Sequence, residues 1–286
     1  MDVTRVTVLG AGIMGNGIAQ VAAQSGLEVK MRDIEDKFLE SGMNTIKQSL
    51  GRMVKKEKIT QADADTVVAR IKCTADLIEA VKDADVVIEA IPEVMALKVE
   101  TYKTMDQECP DHVIFASNTS GMSITELAAA TKRADRFVGM HFFNPVPLMQ
   151  LVEIVRGYST SEDTIKVIRD LATKMGKESI IVNDTPGFAT SRLIGILQNE
   201  AIHAFAEGIA SAEDIDKGMK LGMNHPMGPL ELADFVGLDT LLHVMENLHN
   251  EYGDPKYRPP LLLRQMVRAG HLGRKTGKGF YDYTNK

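Results

Sequence analysis

A glycine-rich segment near the N-terminus restricts the fold of this chain more than any other feature. A short β-branched run, RVTVL, leads directly into GAGIMG, a G-x-G-x-x-G motif. A helix is predicted over 16–25, closed by Gly26, and its apolar face is formed by Ile18, Ala19, Val21 and Ala22. In such a turn Gly10 allows a tight bend, Gly12 lets a ligand approach the backbone, and Gly15 lets the helix pack closely on the strand. The order of strand, turn and helix predicts a βαβ unit.

An acidic residue completes this pattern. The predicted second strand, 27–31, is followed by Asp33, roughly 20 residues after the motif, where dinucleotide-binding units carry the acid that binds a ribose. The N-terminus of the intervening helix would offer N–H groups to a pyrophosphate. A carboxylate here disfavours a 2′-phosphate, so the pattern indicates NAD over NADP. NADP remains an alternative cofactor if the side chain of the neighbouring Arg32 points into the site.

A second informative segment, RFVGMHFFNPVPLMQLVE, runs from Arg136 to Glu153 and holds a single histidine. Residues 137–143 are predicted to form a buried strand that the two following prolines must end. His141 would then lie at the edge where open α/β sheets bind ligands. If the second apolar run folds back beside the first, Glu153 reaches the imidazole, which suits a general base. The alternative is a core histidine with a satisfied hydrogen bond.

Polar side chains follow two further predicted strands. Glu93 comes after the apolar strand 85–91, and Ser120 lies in the segment SNTS after the strand 112–116. Lys98 is placed on the helix that follows Glu93. Together with His141, these residues predict one site at a single edge of the sheet.

The charge balance bears on the ligand. The net charge of -6 disfavours nucleic acid or an anionic membrane as a general partner, so an anionic ligand needs a local positive patch. The end of the predicted helix 34–58 supplies one, with Arg52, Lys55, Lys56 and Lys58 in the run RMVKKEK. These cations either complement the helix dipole in solvent or bind phosphate groups of a substrate.

Cysteine spacing and the N-terminal sequence concern the compartment. Cys73 and Cys109 have no metal-type spacing, and no basic and apolar leader precedes the first strand. We therefore expect a cytoplasmic protein with no metal site. No stretch approaches the length of an apolar membrane span, so no membrane association is predicted.

The sequence pattern changes near Pro186. We predict an α/β protein in which residues 1–186 form a Rossmann-like, doubly wound NAD-binding domain and residues 187–286 form an all-α domain for substrate closure and dimerisation. Helical patterns cover 189–207, 212–221, 228–250 and 260–269. In the earlier long helix 34–58, the positions predicted to face the core are Phe38, Ile46, Leu50, Met53 and Val54. Apolar faces that include Leu193, Ile196, Leu197 and Ile202 favour pairing with a second copy. The basic tail GRKTGKGFY is either a docked terminus or a loop that reaches the cofactor.

Seven motifs in sequence order resemble one family over essentially the whole length. They are GAGIMGNGIAQ, DVVIEAIPE, FASNTS, HFFNPVP with its trailing LVE, DTPGF, KLGMNHPMGPLELADFVGLD and GRKTGKGFYDY. The chain is similar to the short-chain L-3-hydroxyacyl-CoA dehydrogenases, most of all to their bacterial 3-hydroxybutyryl-CoA branch.

The resemblance implies roles for individual residues. His141 would be the catalytic base, Glu153 its carboxylate partner, and Ser120 a hydroxyl that hydrogen-bonds the reacting oxygen. The implied cofactor contacts are Gly10, Gly12, Ile13, Met14, Gly15, Asp33, Glu93, Ser120, Asn144 and Lys275. The implied coenzyme A contacts are Ser49, Lys56 and Lys98.

One position departs from the family pattern. The family reads PGF-x-x-N-R, with an asparagine that assists near the reacting oxygen, whereas this chain reads PGFATSR and has Ser191 there. Serine keeps a donor but is shorter, so it would act through a water or leave the role to Ser120. Because His141, Glu153 and Ser120 are all present, we interpret this as a variant active site.

The resemblance implies an NAD-dependent oxidoreductase that interconverts (S)-3-hydroxybutyryl-CoA and acetoacetyl-CoA, working as a cytoplasmic homodimer in fatty-acid or butyrate metabolism. Two alternatives stay open. One is a dehydrogenase of a free hydroxy acid or sugar acid, for which Lys55, Lys56 and Lys98 would be merely solvated. The other is a non-catalytic, crystallin-like NAD-binding protein, for which Ser191 is the best support.

Overall fold

The computed structural model describes residues 1–284, which divide into two compact units between Thr185 and Pro186. The strands, all in the first unit, are β1 (Arg5–Leu9), β2 (Glu28–Arg32), β3 (Ile71–Thr74), β4 (Val86–Glu89), β5 (Ile114–Ser117), β6 (Phe137–Phe142), β7 (Leu151–Arg156) and β8 (Glu178–Asn183). The helices of this unit are α1 (Ile13–Gln24), α2 (Asp36–Lys55), α3 (Gln61–Ala69), α4 (Leu77–Val81), α5 (Met95–Glu108), α6 (Ile124–Ala129) and α7 (Glu162–Lys174).

The eight strands form one mixed sheet in the order β3-β2-β1-β4-β5-β6-β7-β8. Neighbouring strands are parallel except for β6 and β7, which pair antiparallel. Strands β4, β5 and β6 are buried along their whole length, as expected when both faces of a sheet are covered by helices. The carboxyl ends of β1, β2, β4, β5 and β6 therefore meet at one edge. This Rossmann-like arrangement confirms the predicted fold class for the N-terminal part.

The first helix follows directly from the glycine motif. α1 begins at Ile13, within the motif and earlier than the predicted start at residue 16, because Gly12 already acts as its N-cap in extended conformation. Its predicted apolar face is buried, namely Ile18, Ala19, Val21 and Ala22. Gly26, with φ +90°, reverses the chain after the helix.

The long helix α2 turns a different face to the core than predicted at its start. Ile46 and Leu50 are buried as expected, but Phe38 is 39% exposed, so its assignment to the core was wrong. Leu39 takes that place because Leu39, Ile46 and Leu50 follow a helical repeat on one side, which puts residue 38 about 100° away around the axis.

The second unit is helical, as predicted, and contains α8 (Thr190–Ala206), α9 (Ala212–Gly222), α10 (Pro229–Val236), α11 (Leu238–Tyr252) and α12 (Leu261–Arg268). The prediction of a single helix over 228–250 was wrong. Gly237 separates α10 from α11 with φ +105°, a conformation that interrupts a helix and that L side chains rarely adopt. Ile202 lies in the core of this unit, whereas Leu193 is 70% exposed.

The C-terminal tail is docked on the second unit through a buried aspartate. Asp234 accepts hydrogen bonds from the N–H groups of Phe280 and Tyr281, both at 3.0 Å, and from the hydroxyl of Tyr283 at 3.1 Å. The Tyr281 hydroxyl donates to Asp216 at 2.7 Å. The tail is thus docked on the second unit, and a cofactor contact by Lys275 within it stays a prediction. Within residues 1–284, no helix has the length and apolar character needed to cross a bilayer.

Asp85, just before β4, holds the start of β1. Its carboxylate accepts hydrogen bonds from the N–H groups of Thr4 and Arg5, both at 2.9 Å, from the Thr4 hydroxyl at 3.0 Å and from the Arg5 guanidinium at 3.0 Å. Burial by itself would raise the pKa of Asp85, but these donors outweigh it and lower the pKa to about 2.

We expect Asp85→Asn to lower the free energy of unfolding at pH 7 by about 1 to 2 kcal/mol, allowing for solvent screening. The folded pKa lies below the ordinary value near 4, so the carboxylate stabilises the fold above pH 4 and loses this effect as the pH falls to about 2. Urea unfolding from pH 7 to pH 2 measures this, with the exposed Asp111→Asn as control. A difference between wild type and Asp85→Asn that stays constant over this range would contradict the assignment.

Candidate active site

His141 and Glu153 form a buried pair on the two antiparallel strands. They are directly opposite each other in the register of β6 and β7, and His141 Nδ1 lies 2.7 Å from a carboxylate oxygen of Glu153. The two side chains are 9% and 0% exposed. The predicted fold-back of the second apolar run is confirmed. A carboxylate in this position fixes the orientation of the ring and stabilises its cation.

The turn between β6 and β7 is held from two sides. At the end of β6, the N–H of Phe142 donates to the side-chain carbonyl of Asn118 at 2.9 Å. The ammonium of Lys177 donates to the carbonyls of Val146 and Met149 at 2.5 and 2.7 Å, and burial lowers the pKa of Lys177. Asn144, a predicted cofactor contact, is exposed in this turn.

The glycine loop has the shape that the motif predicts. A Cβ on Gly10, which has φ +98°, would lie 2.5 Å from the carbonyl oxygen of Ala90, and a Cβ on Gly15 would lie 1.8 Å from the carbonyl oxygen of Gly10. A Cβ on Gly12 would meet no heavy atom within 4 Å. Two glycines therefore allow close packing, and the backbone at Gly12 faces open space. Ile13, the next residue, is 74% exposed and Met14 is half-buried.

Asp33 lies beyond β2 and is bonded to the loop. One oxygen accepts from the N–H of Ala11 at 2.7 Å and the other from the N–H of Ile34 at 2.7 Å. Each oxygen keeps a further lone pair for a ribose hydroxyl. Arg32 Nε donates to the carbonyl of Ala75 at 3.2 Å. The backbone at Gly12 is open, and no side chain caps the start of α1, so its N–H groups can bind a ligand. Together with Asp33, these features fit a bound dinucleotide.

A second buried carboxylate lies at the end of β4. Glu89 is 0% exposed and accepts four hydrogen bonds, from the Lys98 ammonium at 2.6 Å, the Ile91 N–H at 2.8 Å, the Ser117 hydroxyl at 2.7 Å and the Tyr102 hydroxyl at 3.2 Å. Burial and the nearby Glu89 charge raise the pKa of Tyr102. The carboxylate is thus fully satisfied inside the protein.

The sequence reasoning overlooked Glu89. A signal was present, because the acid Glu89 within the apolar run VVIEAI must find a cation or several donors if the strand is buried. Lys98, on the next helix, is the available cation. The apolar character of the strand was recognised and the charge of Glu89 within it was not.

Lys98 is buried, which argues against its predicted contact with coenzyme A. Its ammonium is 1% exposed and lies between the carboxylates of Glu89 and Glu93, at 2.6 and 3.2 Å. A buried ammonium that two carboxylates neutralise has no charge to offer a phosphate in solvent. Glu93 also accepts a hydrogen bond from the N–H of Ser120 at 3.1 Å, so these two predicted residues lie together.

Asp184 fixes the chain beyond Ser120 and was not singled out from the sequence. Its carboxylate accepts from the Ser123 hydroxyl at 2.9 Å and from the N–H groups of Ile124 and Thr125 at 3.0 and 2.7 Å. The start of α6 is therefore tied to the end of β8. The turn that carries Ser120 is anchored on both sides.

The remaining predicted residues lie on helix ends. Ser49 is half-buried near the C-terminal end of α2, and Lys56 is exposed immediately after this helix. In the second unit, Ser191 is the half-buried second residue of α8. Lys275, in the same unit, is exposed and bonds Asp239 at 2.7 Å.

Proteins that combine a Rossmann-like sheet, an open glycine loop and a buried acid/base pair at the sheet edge belong to the class of nucleotide-dependent oxidoreductases. This chain belongs to the 3-hydroxyacyl-CoA dehydrogenase family. Residues 5–185 match the NAD binding domain of 3-hydroxyacyl-CoA dehydrogenase, and residues 187–283 match its C-terminal domain.

Individual relatives agree over the full chain. A probable 3-hydroxybutyryl-CoA dehydrogenase of Bacillus subtilis is 53% identical, with 100% of this chain and 99% of the relative aligned. A 3-hydroxybutyryl-CoA dehydrogenase of Bradyrhizobium diazoefficiens is 46% identical, with 98% of this chain and 96% of the relative aligned. The crystal structure of (S)-3-hydroxybutyryl-CoA dehydrogenase from Ralstonia eutropha matches with a TM-score of 0.97 at 52% identity, covering 99% of this chain and 100% of that one.

We expect Gly12→Ala to weaken NADH binding about tenfold or more while changing the free energy of unfolding by less than about 0.5 kcal/mol. The added methyl group meets no protein atom, so it obstructs only a ligand that approaches the loop. NADH fluorescence titration and urea unfolding measure the two effects. The control is Gly218→Ala in α9, which also faces open space. Unchanged NADH affinity in Gly12→Ala would place the dinucleotide elsewhere.

Proposed function

We propose that this protein is an NAD-dependent oxidoreductase that interconverts (S)-3-hydroxybutyryl-CoA and acetoacetyl-CoA. The observation that carries the proposal is the buried contact of 2.7 Å between His141 and Glu153 at the carboxyl edge of the sheet. The family membership and the names of the relatives support the substrate.

In the proposed reaction His141 moves the proton. Because Nδ1 faces Glu153, Nε2 is the nitrogen that takes the proton from the 3-hydroxyl in oxidation and returns it in reduction. Glu153 stabilises the imidazolium that forms, and its complete burial strengthens that interaction. The surrounding strands hold the ring, so the proton acceptor needs little reorganisation.

The glycine loop and Asp33 are the proposed binding site for the cofactor, with Gly10, Gly12, Ile13, Met14 and Gly15 along the pyrophosphate. Glu93, Ser120, Asn144 and Lys275 are proposed as further contacts. NAD, when bound, supplies the acceptor for the hydride that leaves C3 of the substrate, and the donor in the reverse direction. Asp33 favours NAD over NADP, because its carboxylate repels a 2′-phosphate.

Ser120 is proposed to hydrogen-bond the reacting oxygen. It is exposed, and its N–H is held by Glu93, so the hydroxyl is presented from an anchored turn. Ser191, with its short hydroxyl side chain, is proposed to assist through a water. The presence of His141, Glu153 and Ser120 favours a variant active site over the non-catalytic alternative.

The coenzyme A part of the substrate is proposed to bind at the basic end of α2. Lys55, Lys56 and Lys58 are exposed there, and Ser49 lies half-buried one to two turns earlier. Phosphate groups are the partners that such a cluster can attract in a chain of net charge -6. Binding energy from this remote part of the substrate would position C3 for the reaction.

Pairing of two copies through the helical unit stays a prediction, as do substrate closure by that unit, a place in the cytoplasm and a role in fatty-acid or butyrate metabolism. The exposed apolar side chains Leu193, Leu221 and Met223 support the pairing. A free hydroxy acid or sugar acid as substrate is the second candidate for the reaction.

We expect the wild type to oxidise NADH with acetoacetyl-CoA, and His141→Ala to lower kcat by about 10² to 10⁴-fold because the acid/base group is lost. Absorbance of NADH follows the reaction, with acetoacetate as rival substrate and NADPH in parallel. The control is His243→Ala, an exposed histidine on α11, which should leave the rate unchanged. Turnover of acetoacetate without the thioester would favour the second candidate, and NADH binding without any turnover would favour the non-catalytic protein.

We expect Lys56→Ala to raise the KM for acetoacetyl-CoA about two- to fivefold and to leave the KM for NADH unchanged, because the proposed contact is an exposed ion pair with a phosphate. The effect should shrink at high salt. Lys166→Ala, an exposed lysine on α7, is the control. Equal effects of the two substitutions would refute a specific coenzyme A site at α2.

A further inference from the structure

We infer that Glu89 is a positioning residue for the reaction, acting through Lys98 and Ser117 on the turn 117–122 that carries Ser120. Glu89 lies inside the protein at the end of β4 and touches neither substrate nor cofactor in the proposed mechanism. One hydrogen-bonded path connects Glu89 to Glu93 and Ser120, and a second path connects it to the backbone on both sides of Ser120. The inference rests on the proposed function, because that function gives Ser120 and Glu93 their roles.

The first path runs through Lys98. Its buried ammonium bonds Glu89 at 2.6 Å and lies 3.2 Å from one carboxylate oxygen of Glu93. The other oxygen of Glu93 accepts the N–H of Ser120 at 3.1 Å. An exposed glutamate is ordinarily free to adopt several rotamers. Here Glu93 is held at both oxygens, and Glu89 fixes the ammonium that holds one of them.

The second path runs through Ser117, the last residue of β5. Its hydroxyl donates to Glu89 at 2.7 Å and accepts the N–H of Thr119 at 3.3 Å. The Thr119 hydroxyl accepts in turn from the N–H groups of Gly121 and Met122 at 3.3 and 3.0 Å. The same carboxylate thus organises the turn on both sides of Ser120.

The burial of the pair of Glu89 and Lys98 is weak evidence for a purely stabilising role. A buried ion pair is a weak stabiliser, because desolvation of both ions offsets their attraction and apolar side chains of similar size would serve as well. This pair does orient other groups, because Lys98 contacts Glu93 and Glu89 accepts from Ser117. The buried pair of Arg133 and Asp106, at 2.6 Å in the same unit, provides a contrast. Its further hydrogen bonds go to carbonyls between residues 106 and 113 and come from the N–H of Lys132, and these bonds do not involve the turn 117–122.

The test is Glu89→Gln, which keeps the shape and removes the charge that holds Lys98. In the ligand-free protein we expect the Ser120 amide to exchange with solvent about tenfold faster, and the Kd for NADH to rise about ten- to a hundredfold. The matched control is Asp106→Asn, which also breaks a buried ion pair of α5. It should lower stability without changing either quantity. A purely structural role of Glu89 would give the same result as the control and would overturn the inference.

Ser117→Ala is the second variant, in case Glu89→Gln does not fold. It cuts only one path and should speed exchange at Thr119 and Ser120 severalfold while the Lys98 contact persists. Unchanged exchange in Ser117→Ala would also overturn the inference. Both readouts use the protein without substrate, so they remain decisive if the wild type fails to reduce acetoacetyl-CoA. That failure would refute the proposed function alone.

Discussion

The antiparallel pairing of β6 and β7 is the contact on which the site depends. In a chain of otherwise parallel strands this one reversal puts residue 141 directly opposite residue 153. Because side chains alternate between the faces of a strand, a slip of one residue would turn Glu153 to the other face of the sheet and leave the imidazole without its carboxylate. Lys177 holds the intervening turn, and β8 pairs along the full length of β7, so the register is fixed from two directions.

The parallel part of the sheet brings the remaining groups to the same edge. The strands β1, β2, β4 and β5 end next to one another, and Gly12, Asp33, Glu93 and Ser120 all follow these ends by a few residues. Such positions are distant along the sequence and close in the fold only because each strand is joined to the next by a helix. The sheet thus provides the positions, and short loops provide the chemistry.

Local sequence was sufficient where the structure follows local rules. The glycine loop, the strand that ends before Asn144 and the pairing of His141 with Glu153 were all predictable from residue type and spacing. Phe38 was misplaced because the helix starts at Asp36 and its orientation is set by later residues such as Ile46. Lys98 was assigned to coenzyme A through the family resemblance, which does not show whether its ammonium faces solvent or the buried Glu89 on the neighbouring strand.

Glu89 and Glu153 show how this fold uses buried carboxylates. Both are 0% exposed, both lie in strands, and each faces a side chain that can carry positive charge from an adjacent element. A carboxylate on a flexible loop would move into solvent when its partner changed protonation. A carboxylate on an inner strand of a sheet cannot do so, because the packed strands hold its backbone in place. Glu153 therefore stays next to His141 whether or not the imidazole ring is protonated. By the same reasoning, Glu89 keeps Lys98 in place whether or not a ligand contacts the exposed Glu93. The orientation of Glu93 and of the turn 117–122 is therefore set by the sheet before any ligand binds.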